Sequence, residues 1–308
     1  MYRILIKPSK TIYIPLISAI LLTCLSCNNN SNKTGENADS NKVEIDSTAA
    51  TIVKFNNALF SIPSPYQISL LVKQVNINYN KDFLNPIDRS TKYTSNIKKA
   101  LNLGIYGADL GYLNIYEQTP NAIRYFAIIK QFSNELGIAT AFDKETLKRI
   151  ETNMENNNND SLMYIISNSY RKADSYLKKN DRNNIGVLIL AGGWVESLHL
   201  MTQIAIQEKN QKEIILRIGE QKHPLDNLIK ILSPYYETSP EFTELLDGLI
   251  DLAYEFDGID VTYTYSEPTI DVKNKLTIIN SKSDLVIKDD QLKRISEKAK
   301  KIRSKIIE

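Results

Sequence analysis

Residues Leu190–Leu200, LAGGWVESLHL, set two adjacent glycines, the chain's only tryptophan, a glutamate and one of its two histidines inside an apolar run. Two internal glycines cost a helix about 2 kcal/mol relative to alanine, so the helix either breaks here or recovers the loss through close backbone contact. Spacing favours contact. Gly186, Gly193 and Ser197 share one helical face, and Ala100, Gly104, Ala108 and Gly111 form a second stripe of small residues on a helix predicted over 94–117. The stretch therefore reads as a seam where two helices approach unusually closely, with Trp194 filling space beside the crossing. On this reading Gly193→Leu overpacks the crossing and Glu196→Gln is mild.

Outward from the seam the chain reads as further helices. Ser64-Pro65 supplies a cap and a first-turn proline for a helix through 75. Thr119-Pro120 opens another, and Gly137 closes it with a residue that accepts a left-handed conformation. Helical spacing continues at about 143–155, 160–179, 183–207, 210–221, 224–233 and 240–256, with Asn-rich or Pro-containing turns between. Leu110-Gly111, Ala122 and Phe126 resemble part of a tetratricopeptide repeat, but the hairpin is one residue short and no second copy matches. After Gly258 the period becomes two: Val261, Tyr263 and Tyr265 alternate with polar residues, and KLTIIN and DLVI follow. The expected fold is mainly α, with antiparallel helical hairpins in one bundle-like or αα-repeat-like domain. A small β-element at about 259–288 and a final amphipathic helix complete it.

The first residues have a different build. Arg3, Lys7 and Lys10 precede an apolar stretch from Thr11 to Leu25, too short to span a bilayer and suited to a secretory signal. Ser26-Cys27 resembles the lipobox of bacterial lipoproteins, although Cys24 stands where leucine is usual. The resemblance implies cleavage after residue 26 and lipidation of Cys27, with palmitate among the chains attached, and Cys24 is the rival anchor. An ordinary secreted protein is the plainer alternative. Residues 27–50 are polar, poor in aromatics and without period, as expected of a disordered tether, which leaves 51–308 as the folded domain. Within the tether Asp46-Ser47-Thr48 resembles a Bacteroidetes O-glycosylation acceptor.

Composition bounds the chemistry. The 308 residues are 42% hydrophobic and 24% charged, inside the globular range. The formal charge of +2 becomes −1 once Arg3, Lys7 and Lys10 are removed, which is not the footprint of a nucleic-acid binder. No cysteine follows Cys27, so disulfides and cysteine metal sites are excluded from the mature domain. HExxH, GxSxG, P-loop and GxGxxG patterns are all missing, so no catalytic residue and no cofactor is assigned.

Metal is the sharper alternative to packing. Glu196-x-x-His199 puts a carboxylate and an imidazole on one helical face, and Glu220-x-x-His223 repeats the spacing, resembling the Glu-x-x-His pairs of ferritin-like di-iron bundles. Asp109 and Glu117 could add carboxylates, making a metal-dependent helical-bundle enzyme the runner-up. The two pairs are close in sequence, however, and Pro224 places His223 at a helix end, so a buried Glu–His pair satisfying itself by hydrogen bonding is preferred. A third reading is a small-ligand carrier lined by Trp194 and tyrosines.

Two charge patterns oppose each other. Residues 237–260 hold eight acids and no base, with Glu241, Glu244, Asp251 and Glu255 near one helical face; this reads as a solvated stripe, or second as a docking face. Residues 291–308 hold seven bases and two acids around an apolar stripe of Leu292, Ile295, Ala299, Ile302 and Ile306. That helix is expected to dock on its own domain, with anionic membrane or a partner as the alternative.

The segments FSIPSPYQ, ALNLGIYGADLGYLNIYEQ and LAGGWVESLHL, together with the lipobox, resemble a family of uncharacterised Bacteroidetes lipoproteins. The resemblance runs from about Phe60 to about Ile204. It implies an address in the cell envelope and a helical fold, while the anchor, the tether, the helical hairpins and the missing catalytic spacings lead to the expectation of a non-catalytic helical scaffold or binding module, lipid-anchored at the outer membrane, with an envelope protein as partner. The family carries no assigned activity, so it transfers no functional residues.

Overall fold

The structure, a computed structural model, describes residues 5–6, 51–55, 58–62, 77–139, 144–156, 158, 161, 165, 182–207, 212–271, 276–278 and 280–308. The predicted helix at 64–75, that at 160–179 apart from residues 161 and 165, the lipobox cysteines and the tether lie outside these residues. The chain divides into two compact units, one of residues 47–261 with 285–308 and the other of 1–46 with 262–284.

The larger unit is helical. Its elements are a hairpin of β2 (Thr51–Phe55) and β3 (Ala58–Ile62), then α1 (Asn96–Ile115), α2 (Thr119–Glu135), α3 (Lys144–Glu155), α4 (Asn183–Gln207), α5 (Lys212–Gly219), α6 (Lys222–Leu232), α7 (Pro240–Asp257) and α8 (Asp289–Ile307). The sequence signals act as expected at several ends. Ser95 caps α1, its Oγ accepting from the Lys98 amide at 3.1 Å. Gly137 takes φ +64°, and the Ile138 amide reaches the Ser133 carbonyl at 2.9 Å, the bond that closes α2. α1 ends with the same pattern, the Gln118 amide bonding the Leu113 carbonyl at 2.9 Å, but here a non-glycine residue, Glu117, takes φ +55°.

α4 is apolar on nearly every face. It is long and apolar enough to cross a membrane, yet 83% of that apolar window is buried by the protein itself, so it is the core helix. Its most extensive neighbour is α1. The seam is therefore real, with one change of residue. A side chain on Gly104 would overlap the Ile189 carbonyl, and one on Gly192 would overlap the Leu101 carbonyl. Gly193, the residue expected at the contact, is there as well, its amide nitrogen 2.5 Å from a Cβ built on Gly104, but its own Cβ would stand 3.5 Å from the Gly104 carbonyl, an ordinary distance. The position that admits no side chain on α4 is thus Gly192, one residue or about 100° of helical turn earlier. Trp194 is buried beside the seam, its Nε1 donating to Gln221 Oε1 at 3.1 Å, so its ring is a packing element rather than the lining of an open pocket.

α8 docks on its own domain. Leu292, Ile295, Ala299, Ile302 and Ile306 are all buried against the core. Its basic face pairs with the acidic stripe of α7: Lys298 with Asp251 at 2.9 Å, Arg294 with Glu255 at 2.8 Å and Lys305 with Glu244 at 2.6 Å. That stripe is thus an intramolecular docking face more than a solvated one.

In the smaller unit β1 (Leu5–Ile6), β6 (Leu276–Ile278) and β5 (Thr269–Asp271) form an antiparallel sheet in the order β1-β6-β5. β4 (Asp260–Thr264) pairs with β7 (Lys282–Val286). All five residues of β4 are exposed, so the alternation read there buries neither face; a two-stranded ladder has no second layer of its own.

Candidate functional site

Asp109, Glu196, His199 and Arg303 are the buried charged or imidazole side chains among the described residues, and all lie where α1, α4 and α8 meet the segment 77–93. Glu196 is fully buried. Its partner is Arg303, whose Nε donates to Oε2 at 2.5 Å and whose Nη2 donates to Oε1 at 2.8 Å. The same Nη2 donates to the Phe83 carbonyl at 3.0 Å. Glu196 therefore does not satisfy itself on His199, and its replacement by glutamine is expected to be costly rather than mild. The guanidinium, 107 positions along the chain, claims both carboxylate oxygens.

Asp109 anchors the irregular segment. Its Oδ2 accepts the Asn85 amide at 3.0 Å, while Oδ1 has no hydrogen-bond partner among the described residues. The other polar groups of Asn85 are also satisfied: Tyr125 donates to its carbonyl at 2.8 Å, and its Nδ2 donates to Tyr93 at 3.1 Å and to Asn102 at 3.1 Å. The Tyr106 hydroxyl donates to the Pro86 carbonyl at 3.0 Å, and the Tyr112 hydroxyl accepts the Asn80 amide at 3.0 Å. A buried segment without regular structure needs such partners, because its backbone groups have no ladder of their own. Asn102 and Tyr93 also hold the end of α8, donating to the carbonyls of Ile306 at 3.1 Å and Ile307 at 3.2 Å. Those carbonyls have no partner within the helix, and the amide and phenol provide one.

The electrostatics follow from two carboxyls sharing one cation. Burial, and next the negative charge of Glu196, raise the Asp109 carboxyl well above the usual carboxylate range, only partly opposed by Arg303. The charged form of Asp109 is thus disfavoured in the core. Burial lowers the His199 imidazole to about 4 against the pull of Glu196, so His199 is neutral, and its Nδ1 has no hydrogen-bond partner among the described residues. Burial alone would lower the Arg303 pKa; the Glu196 carboxylate more than offsets it and keeps the guanidinium charged. One ion pair, one carboxyl whose charge is disfavoured and one neutral imidazole make a closed internal lock. These four groups include no thiol or activated hydroxyl that could act as a nucleophile.

Of the six residues considered for metal, the structure gathers Asp109, Glu196 and His199 and leaves the others apart. Glu117 is an exposed turn residue at the end of α1, Glu220 pairs with Arg217 at 2.6 Å, and His223 is exposed on α6. Among the described residues no group of three or more His, Cys, Asp and Glu side chains is arranged to hold a metal ion. The di-iron ligand set is therefore not assembled. Arg303 and Asn85 escaped the sequence reading. Arg303 follows Ile302 on the apolar side of α8, and a charge at that edge was the available signal. No local signal marks Asn85.

No protein-family profile, curated protein or solved structure matches the chain.

Proposed function

We propose that the chain is a lipid-anchored protein of the bacterial cell envelope that acts without catalysis, as a helical scaffold or binding module held to the outer membrane by Cys27. The observation that carries the non-catalytic part is the use made of Glu196, His199 and Asp109. The carboxylate is occupied by Arg303, the imidazole is neutral and buried, and Asp109 fastens the 77–93 segment. Residues placed in this way fix a shape for presentation to a partner. The anchor rests on the sequence of the first 27 residues. Processing there removes β1 and frees the edge of β6.

The test is metabolic labelling with a clickable palmitate analogue in a Bacteroidetes host, followed by in-cell crosslinking. Cys27→Ser should abolish the label and Cys24→Ser should retain it. With the anchor intact, crosslinking should yield a reproducible envelope adduct. Label persisting in Cys27→Ser would overturn the anchor, and the lack of any adduct across repeated crosslinking would overturn the binding module.

A further inference from the structure

A cleft of about 820 Å³ opens between the first turns of α1, the face of α7 and the last turns of α8. Its floor is apolar, with Leu101, Leu245 and Ile302 below and the half-buried Ile97 at its side. Its walls differ in sign. Two ion pairs tie them together, Lys298–Asp251 at 2.9 Å and Lys305–Glu244 at 2.6 Å, while Lys98 Nζ is spent on the Lys305 and Ile306 carbonyls.

Those pairs leave part of the charge uncompensated. Glu237 and Glu241, at the mouth where α7 begins, have no ion pair among the described residues, and Asp247 receives only the Tyr236 hydroxyl at 3.1 Å. Against these three carboxylates stand two lining cations without a carboxylate partner among the described residues, Lys301 on the α8 wall and Lys98, whose carbonyl bonds leave its charge in place, so the lining is net negative by one. The mouth is therefore negative above an apolar floor. We infer that this cleft docks a short basic segment of a partner protein, with a Lys or Arg against Glu237 and Glu241 and a neighbouring aliphatic side chain on the floor. Charge complementarity selects this occupant: an acidic segment would meet Glu237 and Glu241 at the entrance, and a purely apolar one would leave Glu241, already half-buried, desolvated and unpaired. This rests on the binding-module reading and names the chemistry of its partner.

The probe is a fluorescein-labelled peptide of Lys-Leu-Leu-Lys repeats, read by anisotropy against the full mature chain, with a twin carrying Glu for every Lys. The Lys peptide should bind and the Glu peptide should not. Joint reversal of Glu237 and Glu241 to lysine should weaken binding roughly tenfold. Reversal of Glu151, which pairs with Lys130 on α2, should leave it unchanged. Equal affinity for the two peptides, no binding of the Lys peptide, or indifference to the double reversal would overturn the inference. A dimer that the double reversal dissolves would overturn it in favour of a second copy of this chain. If the peptide arm fails while the crosslinked adduct of the membrane experiment persists, the cleft falls and the binding module stands.

Discussion

α1 and α4 hold each other in two ways within about one turn of helix. At Gly104 and Gly192 their backbones touch, and any Cβ would strike a carbonyl. At Asp109 and Glu196 two carboxyls are buried instead, with Arg303 from α8 at Glu196. The first contact discriminates by size and has no charge to lose. The second discriminates by charge, and its worth lies less in net stability than in the penalty for leaving one member alone. One crossing thus combines a steric rule with an electrostatic one, and substitutions should separate them.

The largest effect is expected at the electrostatic contact. Glu196→Gln keeps shape and size but leaves Arg303 charged in the core, and should cost about 3–5 kcal/mol. Asp109→Asn should stay within about 1 kcal/mol, because the amide oxygen still accepts the Asn85 amide and burial already disfavours the charged form of the carboxyl it replaces. Urea unfolding of the domain checks both. A mild Glu196→Gln with a severe Asp109→Asn would break the assignment of charge within the lock.

Next comes the steric contact. Gly192→Ala should cost about 1–3 kcal/mol, because the new methyl group meets backbone that cannot rotate away. Gly193→Ala, one residue on, should instead stabilise by up to about 1 kcal/mol, since its Cβ has ordinary room and alanine is the better helix former. Thermal melts of the two variants should therefore move in opposite directions. Melts moving together would show that the helices slide or separate to admit either methyl.

These two contacts also show what the sequence discloses. Small residues at helical spacing on two segments were enough to pair α1 with α4, because a stripe is a local pattern with one common use. Which of two adjacent glycines leaves no room for a side chain was not legible, since one residue turns the face by about 100° and an all-apolar helix offers no amphipathic stripe to fix its phase. Glu196 and His199 stood out, but the partner of Glu196 did not: hydrogen bonds are set by the tertiary fold, and Arg303 lies 107 positions away. The acidic run of α7 and the basic run of α8 were each visible. That they are each other's partners follows only when both are considered together.

The lock should respond to pH in a direction that the glycine contact cannot. His199 titrates at about 4 when folded, below its ordinary value of 6.5, so the unfolded chain binds the proton first. Its contribution is present above about pH 6.5 and is lost as pH falls toward 4. Asp109 has the opposite sign: its raised pKa favours the folded state in acid, and that contribution is lost as pH rises through the folded value. Tm measured against pH should show the acid-side decline reduced in His199→Leu, with the decline on the higher-pH side flattened in Asp109→Asn. Gly192→Ala should lower the whole curve without changing its shape.

The smallest expected change lies at the end of α1, just beyond both contacts. Glu117 occupies the left-handed position that closes the helix, at φ +55°, where α2 uses Gly137 at φ +64° for the same pair of bonds. A residue with a Cβ costs about 1 kcal/mol there, so Glu117→Gly should stabilise the domain by up to that amount, less the entropy glycine adds to the unfolded chain. Because Glu117 is exposed and outside the lock, the gain should add to that of Gly193→Ala in the double variant. The same substitution also probes the metal reading, in which Glu117 was a possible ligand. A stabilised Glu117→Gly protein whose iron, zinc and manganese content equals that of the parent fits a turn residue. A destabilised one that also loses stoichiometric metal would restore the carboxylate to a site and require α1 to end differently from α2.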